Sequence, residues 1–327
     1  MTQRILVVGK QGAIVHLLEN MVAGFSDAGC EVQGFAVNGA DWRQRLILKS
    51  LHLAGNRLAA DRLVRQFGQI VERLRPQLVF FIFPYYYPPY ELFAVARASR
   101  HAPLLAGWVG DRFKPEDIAV ARHLDRVYYT DSEFIEEARQ WGFPDHNRYL
   151  PLAADQRHFH ALDLPRRPEM VFVANITGHR EAVVASIRKP IVVWGRHWDR
   201  MQGTPHEIHP RRLPQSRLPG IYASHRAVLN VRNECNVLAG INQRTFEPLA
   251  CKTPVLNDAM PDLERCFEPG REILVYRDQD ELNAQYERLL ADERLARTIG
   301  EAGWKRVMAE HTYGHRARTI LDDLGLA

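Results

Sequence analysis

Short β-branched runs alternate with helical stripes along this chain, and that alternation restricts it to an α/β fold built on parallel sheets. Arg4 to Val8 is the first run, and it stops at Gly9. Behind it Ile14, Leu17, Leu18, Met21, Val22 and Phe25 recur at i, i+3, i+4 and i+7, the spacing of one helix face. Gly29 closes that helix and Glu31 to Val37 supplies a second strand. Another stripe, through Leu63, Val64, Phe67, Ile70, Val71 and Leu74, leads into a strand at Leu78 to Phe83. Further strands read at Leu104 to Trp108, Val127 to Tyr129 and Tyr149 to Leu152.

The series then restarts. Residues 161–169 are polar and proline-bearing and read as a linker. Beyond them, strands read at Met170 to Ala174, Ile191 to Trp194, Ala227 to Val231, Pro254 to Leu256 and Ile273 to Tyr276. Leu282, Tyr286, Leu289 and Leu290 make one amphipathic face near the end. The expectation is two Rossmann-like domains, residues 1–160 and 170–327, with the last helix placed to pack back on the first. Their parallel sheets face a central cleft. In open parallel sheets ligands sit beyond the carboxyl ends of the strands, so the loops after strands matter most.

A net charge of +4 suits anionic small ligands, and without a basic stripe it does not indicate a nucleic-acid binder. Cys30, Cys235, Cys251 and Cys266 form no C-x-x-C pair and read as reduced thiols of a cytoplasmic protein. The opening residues do not read as a signal peptide, and Leu78 to Phe83 is too short to span a bilayer. Between Trp42 and Arg65, Arg43, Arg45, Lys49, Arg57, Arg62 and Arg65 interleave with Leu46, Ile47, Leu48 and Leu51. Such a segment can lie on the inner face of an anionic membrane, and residues 42–65 are the candidate peripheral contact; a solvated helix face is the alternative.

The most informative run is Ala239 to Pro254. Thr245 to Cys251 has helical composition, and Asn242 and Thr245 are both plausible caps. A helix N-terminus at the strand ends favours an anion such as a diphosphate. Glu247 then falls in the first turn, where its carboxylate can accept two hydrogen bonds from a ribose diol or simply complement the helix dipole.

This run resembles the CgeB-like glycosyltransferases, relatives of the large GT-B group. Their pattern N-x-R-x-F-E-x-x-A-C-x-x-P reads here as Asn242, Arg244, Phe246, Glu247, Ala250, Cys251 and Pro254. The stretches at 149–159, 171–180, 221–230, 267–282 and 311–316 are similar to further motifs of that family. The resemblance implies a GT-B fold with the nucleotide held mainly by the C-terminal domain. It implies that Glu247 binds the donor ribose, that His179 and Arg180 lie beside the phosphates, and that Arg180, Arg244 or Arg196 neutralises the leaving diphosphate. The resemblance also implies that no metal is needed, cationic side chains and a helix terminus taking its place. One departure stands out. Many retaining GT-B transferases pair two glutamates as E-x7-E, and here the first position is Ala239, with Glu234 out of register.

Other candidates carry two readings each. Asp111 follows a strand and is a candidate general base for the acceptor hydroxyl, or a cap for the helix before Pro115. Tyr85, Tyr86, Tyr87 and Tyr90 crowd one loop, suited to stacking on an acceptor or to forming a stiff proline-framed turn. Asp278 and Asp280 form D-x-D, but Asp278 with Glu281 reads better as a capping box. His197, His206 and His209 match no metal spacing, and 196–218 reads as a surface loop. Gly9 and Gly12 lack the third glycine of a dinucleotide fingerprint.

The expectation is a glycosyltransferase of the hexosyltransferase class. It takes a UDP- or GDP-linked sugar, uses no cofactor, and delivers to a glycan, lipid-linked, protein or small-molecule acceptor. The rivals are a nucleotide-sugar epimerase on the same fold and a non-catalytic nucleotide or glycan binder.

Overall fold

The computed structural model describes residues 2–12, 16–39, 57–86 and 88–327. The chain divides into two units, Met1–Pro151 with Tyr313–Ala327, and Leu152–Thr312. Residues 161–169 therefore lie inside the second unit.

The first unit runs β1 (Arg4–Gly9), α1 (Leu17–Asp27), β2 (Glu31–Ala36), α2 (Arg57–Leu74), β3 (Leu78–Ile82), α3 (Glu91–Arg97), β4 (Leu104–Val109), α4 (Ile118–Ala121), β5 (Arg126–Tyr129), α5 (Ser132–Gln140) and β6 (Asn147–Tyr149). Its strands form one parallel sheet in the order β2-β1-β3-β4-β5-β6. The central strand β3, LVFFI, is buried at every residue, as expected of a parallel strand covered by helices on both faces. Gly29, at φ 85°, turns the chain out of α1, a conformation that costs other residues more.

The second unit runs β7 (Arg167–Val173), α6 (Gly178–Ala185), β8 (Val192–Trp194), β9 (Glu207–His209), α7 (Leu218–Ala223), β10 (His225–Asn230), α8 (Gln243–Ala250), β11 (Val255–Asp258), β12 (Leu274–Tyr276), α9 (Gln279–Ala291) and α10 (Glu293–Glu310). These strands form a second parallel sheet, β12-β11-β10-β7-β8-β9. Alternate residues serve opposite faces: Phe172, Leu229 and Leu256 join one core cluster, while Val171, Val228 and Val255 join the other. Counted within the unit, the strand order is 6-5-4-1-2-3, so the direction of winding reverses between β7 and β10.

Two sequence expectations are corrected here. The segment 196–218, read as surface loop, contains the edge strand β9, and His206 within it is buried with Nε2 3.1 Å from Val184 O. Helix α8 begins at Gln243 rather than Thr245, so Glu247 stands beyond the first turn.

The last helix, α11 (Tyr313–Asp323), belongs to the first unit. Gly24 of α1 lets it approach closely, because a Cβ there would stand 2.5 Å from Tyr313 O. Arg316 Nε donates to Pro151 O at 2.7 Å and Tyr128 Oη to Asp323 Oδ2 at 2.9 Å.

Candidate functional site

In the second unit the loops leaving β7 and β10 begin at neighbouring strand ends, on either side of the winding reversal, where α/β sheets open a crevice for ligands. Arg180 ties the two loops together. Its Nε donates to Val231 O, just past β10, at 3.3 Å, and its Nη1 to Asn175 O, just past β7, at 3.1 Å. The side chain is 4% exposed, and Nη2 finds no hydrogen-bond partner among the described residues. Burial, with the neighbouring Arg244 charge, pushes its pKa down to about 10. Two guanidinium groups held near each other disfavour one another, and an anion between them relieves both.

Helix α6 starts at this same crevice. Thr177 is its N-cap, with Oγ1 accepting from Arg180 N–H at 3.3 Å. His179 sits in its first turn; burial and then the Arg232 charge hold its imidazole below the usual pKa. The carboxylate of Glu234, on the loop after β10, lies on this terminus. Oε2 accepts from Thr177 Oγ1 at 3.1 Å and Oε1 from His179 N–H at 3.3 Å.

Helix α8 supplies the remaining parts. Asn242 is its N-cap, accepting from Arg244 N–H at 2.9 Å. Thr245, the other cap candidate, has its hydroxyl engaged in a buried network instead. Asn230 Nδ2 donates to Thr245 Oγ1 at 3.0 Å and to Asn257 Oδ1 at 2.7 Å, and Thr245 Oγ1 donates to Asn257 Oδ1 at 3.0 Å. Asn242 Nδ2 joins it through Asn230 Oδ1 at 3.2 Å. This network pins the start of α8 to the ends of β10 and β11. Arg244 Nε is buried without a hydrogen-bond partner among the described residues.

Glu247 is 5% exposed. Burial pushes its carboxyl up to about 7, with the nearby Arg244 charge opposing the rise. An acid held this far from water differs from one that merely complements a helix dipole at the surface. Asp258, at the end of β11, is likewise buried and pushed up to about 6, held by Arg232, whose N–H donates to Oδ2 at 3.1 Å.

Arg180 and His179 thus start α6 and Asn242 and Arg244 start α8 at the ends of β7 and β10, with the Arg180 and Arg244 charges acting on one another, while Glu247 lies buried one turn further along α8 beside Arg244. Arg196 follows β8, the next strand along; it is exposed and its N–H donates to Asn175 Oδ1 at 3.1 Å. The sequence reading missed Arg232, Asp258 and the placement of Glu234. Glu234 is visible in the sequence only as a glutamate out of register with the E-x7-E pair, and Asp258 only as an acid two residues past an apolar run. Ala239, in the position of the first glutamate of the E-x7-E pair, is fully buried and its carbonyl accepts from Asp262 N–H at 3.1 Å.

The acceptor-side candidates lie in the first unit. Tyr85 packs on Phe113 and Phe143 and shares a 3.1 Å hydrogen bond with the Tyr129 hydroxyl. Tyr86 and Tyr90 are half exposed, Tyr90 in contact with His123. Tyr87 and the segment from Trp42 to Asn56 lie outside the described residues; Arg62 and Arg65 are exposed on α2. Asp111 follows β4, while the turn at Pro115–Asp117 is closed by Asp117, whose Oδ2 accepts from Lys114 N–H at 2.8 Å. Asp278 caps α9, accepting from Glu281 N–H at 2.8 Å, and Asp280 pairs with Arg188 at 2.6 Å. His209 stacks on Trp194 at 3.9 Å. Among the described residues no cluster of three His, Cys, Asp or Glu suits a metal ion, and no helix is long and apolar enough to cross a membrane.

The fold is that of the GT-B glycosyltransferases. Residues 177–322, which contain α6, α8 and every candidate donor-side residue, match the family model described as "Glycosyl transferase-like". Similar solved structures include sucrose-phosphate synthase from Thermosynechococcus elongatus, at 14% identity and a TM-score of 0.67 over 98% of each chain. Anabaena HepE, solved with UDP and glucose, is 13% identical with a TM-score of 0.68, over 99% of this chain and 100% of its own. The lipopolysaccharide outer core galactosyltransferase WaaB is 13% identical with a TM-score of 0.61, over 99% of each chain. No curated protein sequence matches.

Proposed function

We propose that this chain transfers a sugar from a nucleoside-diphosphate sugar to an acceptor hydroxyl. The observation that carries the reading is the buried Arg180 guanidinium at the winding reversal of the second sheet, with the Arg244 charge near it and the Glu247 carboxyl buried beside Arg244. The family match over 177–322 points the same way. Neither it nor the fold favours the epimerase or the non-catalytic binder.

In this reading the ribose diol donates to Glu247, which is ionised when it does so. Arg180 and Arg244, with the termini of α6 and α8, face the diphosphate and stabilise the charge that develops on it as the anomeric bond breaks. Such preorganised donors are worth roughly a hundredfold or more in rate each, which removes the need for a metal. Arg196, after β8, and His179, in the first turn of α6, are the remaining donor-side candidates. Tyr86, Tyr90 and Asp111 of the first unit receive the acceptor, with Asp111 as base. UDP is the favoured carrier over GDP, since HepE was solved with UDP and with UDP-glucose. Hexosyl transfer, placement in the CgeB-like group on the run Asn242 to Pro254, and peripheral membrane contact through residues 42–65 belong to the same proposal.

A thermal-shift panel of UDP, GDP, dTDP, CMP and NAD, with and without magnesium, tests it. One nucleoside diphosphate should raise the melting temperature without metal, and Glu247→Ala should abolish that rise. No rise with any of them, or a rise that survives Glu247→Ala, overturns the assignment.

A further inference from the structure

We propose that the Glu234 carboxylate is a displaceable stand-in for a donor phosphate, a latch that donor binding lifts from the N-terminus of α6 and that thereby sets donor affinity. This rests on the donor-site reading above and adds a residue that the reading does not use.

The carboxylate is placed as an oxyanion would be. Its two oxygens take one hydroxyl donor, Thr177 Oγ1 at 3.1 Å, and one backbone donor, His179 N–H at 3.3 Å, at the positive end of an eight-residue helix. The charge it faces is one assigned to the diphosphate, the Arg180 guanidinium of α6, with the His179 imidazole of the same helix beside it. Arg180 is almost wholly buried, and its Nη2 has no hydrogen-bond partner among the described residues, so its charge is not neutralised by a direct ion pair with the carboxylate.

Glu234 itself is exposed and belongs to the loop between β10 and α8. That loop makes its own turn, with Asn236 N–H and Val237 N–H both bonded to Asn233 O. Swinging the side chain out therefore leaves the strand and the helix in place. A phosphate and the carboxylate cannot hold the same two donors at once, and two anions so close repel. Donor affinity is then the difference between the two occupants, not the full strength of the phosphate site.

The test titrates inorganic pyrophosphate, UDP and GDP by calorimetry into wild type, Glu234→Gln, Glu234→Ala and Glu247→Ala. Pyrophosphate lacks base and ribose and so reports the phosphate position alone. Glu234→Gln and Glu234→Ala should bind pyrophosphate and the preferred nucleotide several-fold to tenfold more tightly. Their unliganded melting temperatures should fall slightly, because α6 loses an anion at its N-terminus. Those opposite signs separate a latch from a merely structural residue, whose loss would lower both. Unchanged or weaker pyrophosphate binding in both Glu234 variants overturns the latch. If that result comes with nucleotide binding that Glu247→Ala abolishes, the donor site stands without it. If no form of the protein binds any nucleoside diphosphate, the donor-site reading falls and takes the latch with it.

Discussion

Asn230 and Asn257, paired across β10 and β11, share a 2.7 Å hydrogen bond with both side chains about 1% exposed, and Thr245 of α8 closes the triangle. Asn257 Oδ1 is the acceptor for both neighbours. Asn257→Leu leaves two buried donors without it, at about 1–3 kcal/mol each. Urea unfolding should show a loss of roughly 2–5 kcal/mol. A loss below about 1 kcal/mol would mean that α8 is held by its apolar face alone.

The stability that Glu247 and Asp258 contribute should fall as pH rises from about 4 to about 7. Glu247 and Asp258 both titrate higher in the folded chain, at about 7 and about 6, than their ordinary values of 4.5 and 3.8. Between those limits these two groups hold more protons in the folded than in the unfolded state, so raising the pH removes their share of stability; His146, His179, His206 and His225, held below the ordinary imidazole value by burial, contribute the opposite slope. Glu247 accounts for on the order of 3 kcal/mol of that fall. Glu247→Gln should flatten the part above pH 5, as read by melting temperature against pH. An unchanged slope removes Glu247 as its source.

Arg180→Lys keeps the charge but not the planar fork that reaches Val231 O and Asn175 O together. Turnover should drop roughly tenfold to a hundredfold, with KM for the donor rising less. Steady-state kinetics with the preferred donor decide it, and equal turnover would exclude Arg180 from stabilising the leaving group.

At Gly24 an added methyl would press to 2.5 Å from Tyr313 O. Gly24→Ala should push α11 away from α1 at a cost of about 1–3 kcal/mol, and proteolysis should then clip the last fifteen or so residues first. Wild-type resistance to protease would show that the two helices have room to spare.

Much of this fold was legible because its buried strands are short apolar runs. β1, β3, β4, β10 and β11 announce themselves through Leu6, Phe80, Leu105, Leu229 and Leu256, which have no exposure. The edge strand β9 did not, since three residues carrying a glutamate and a histidine look like a loop when only one neighbour covers them. The start of α8 was misplaced for a tertiary reason: the Thr245 hydroxyl, a fit cap by sequence, is taken by two asparagines from other strands. The donor-side residues came from one motif-bearing run and one helix start, with Arg196 added from the loop after β8. Arg232, Asp258 and Glu234 become neighbours of that group only when separate loops fold to one sheet edge, which local spacing does not encode.

Ala154 N–H bonds to His311 O at 3.0 Å, so the second unit begins and ends at the same point. It is one uninterrupted stretch, whereas the first unit lacks α11 until Tyr313 and beyond have been made. On the ribosome the order of completion is therefore reversed relative to the order of synthesis. The half made second is complete before the half made first receives α11.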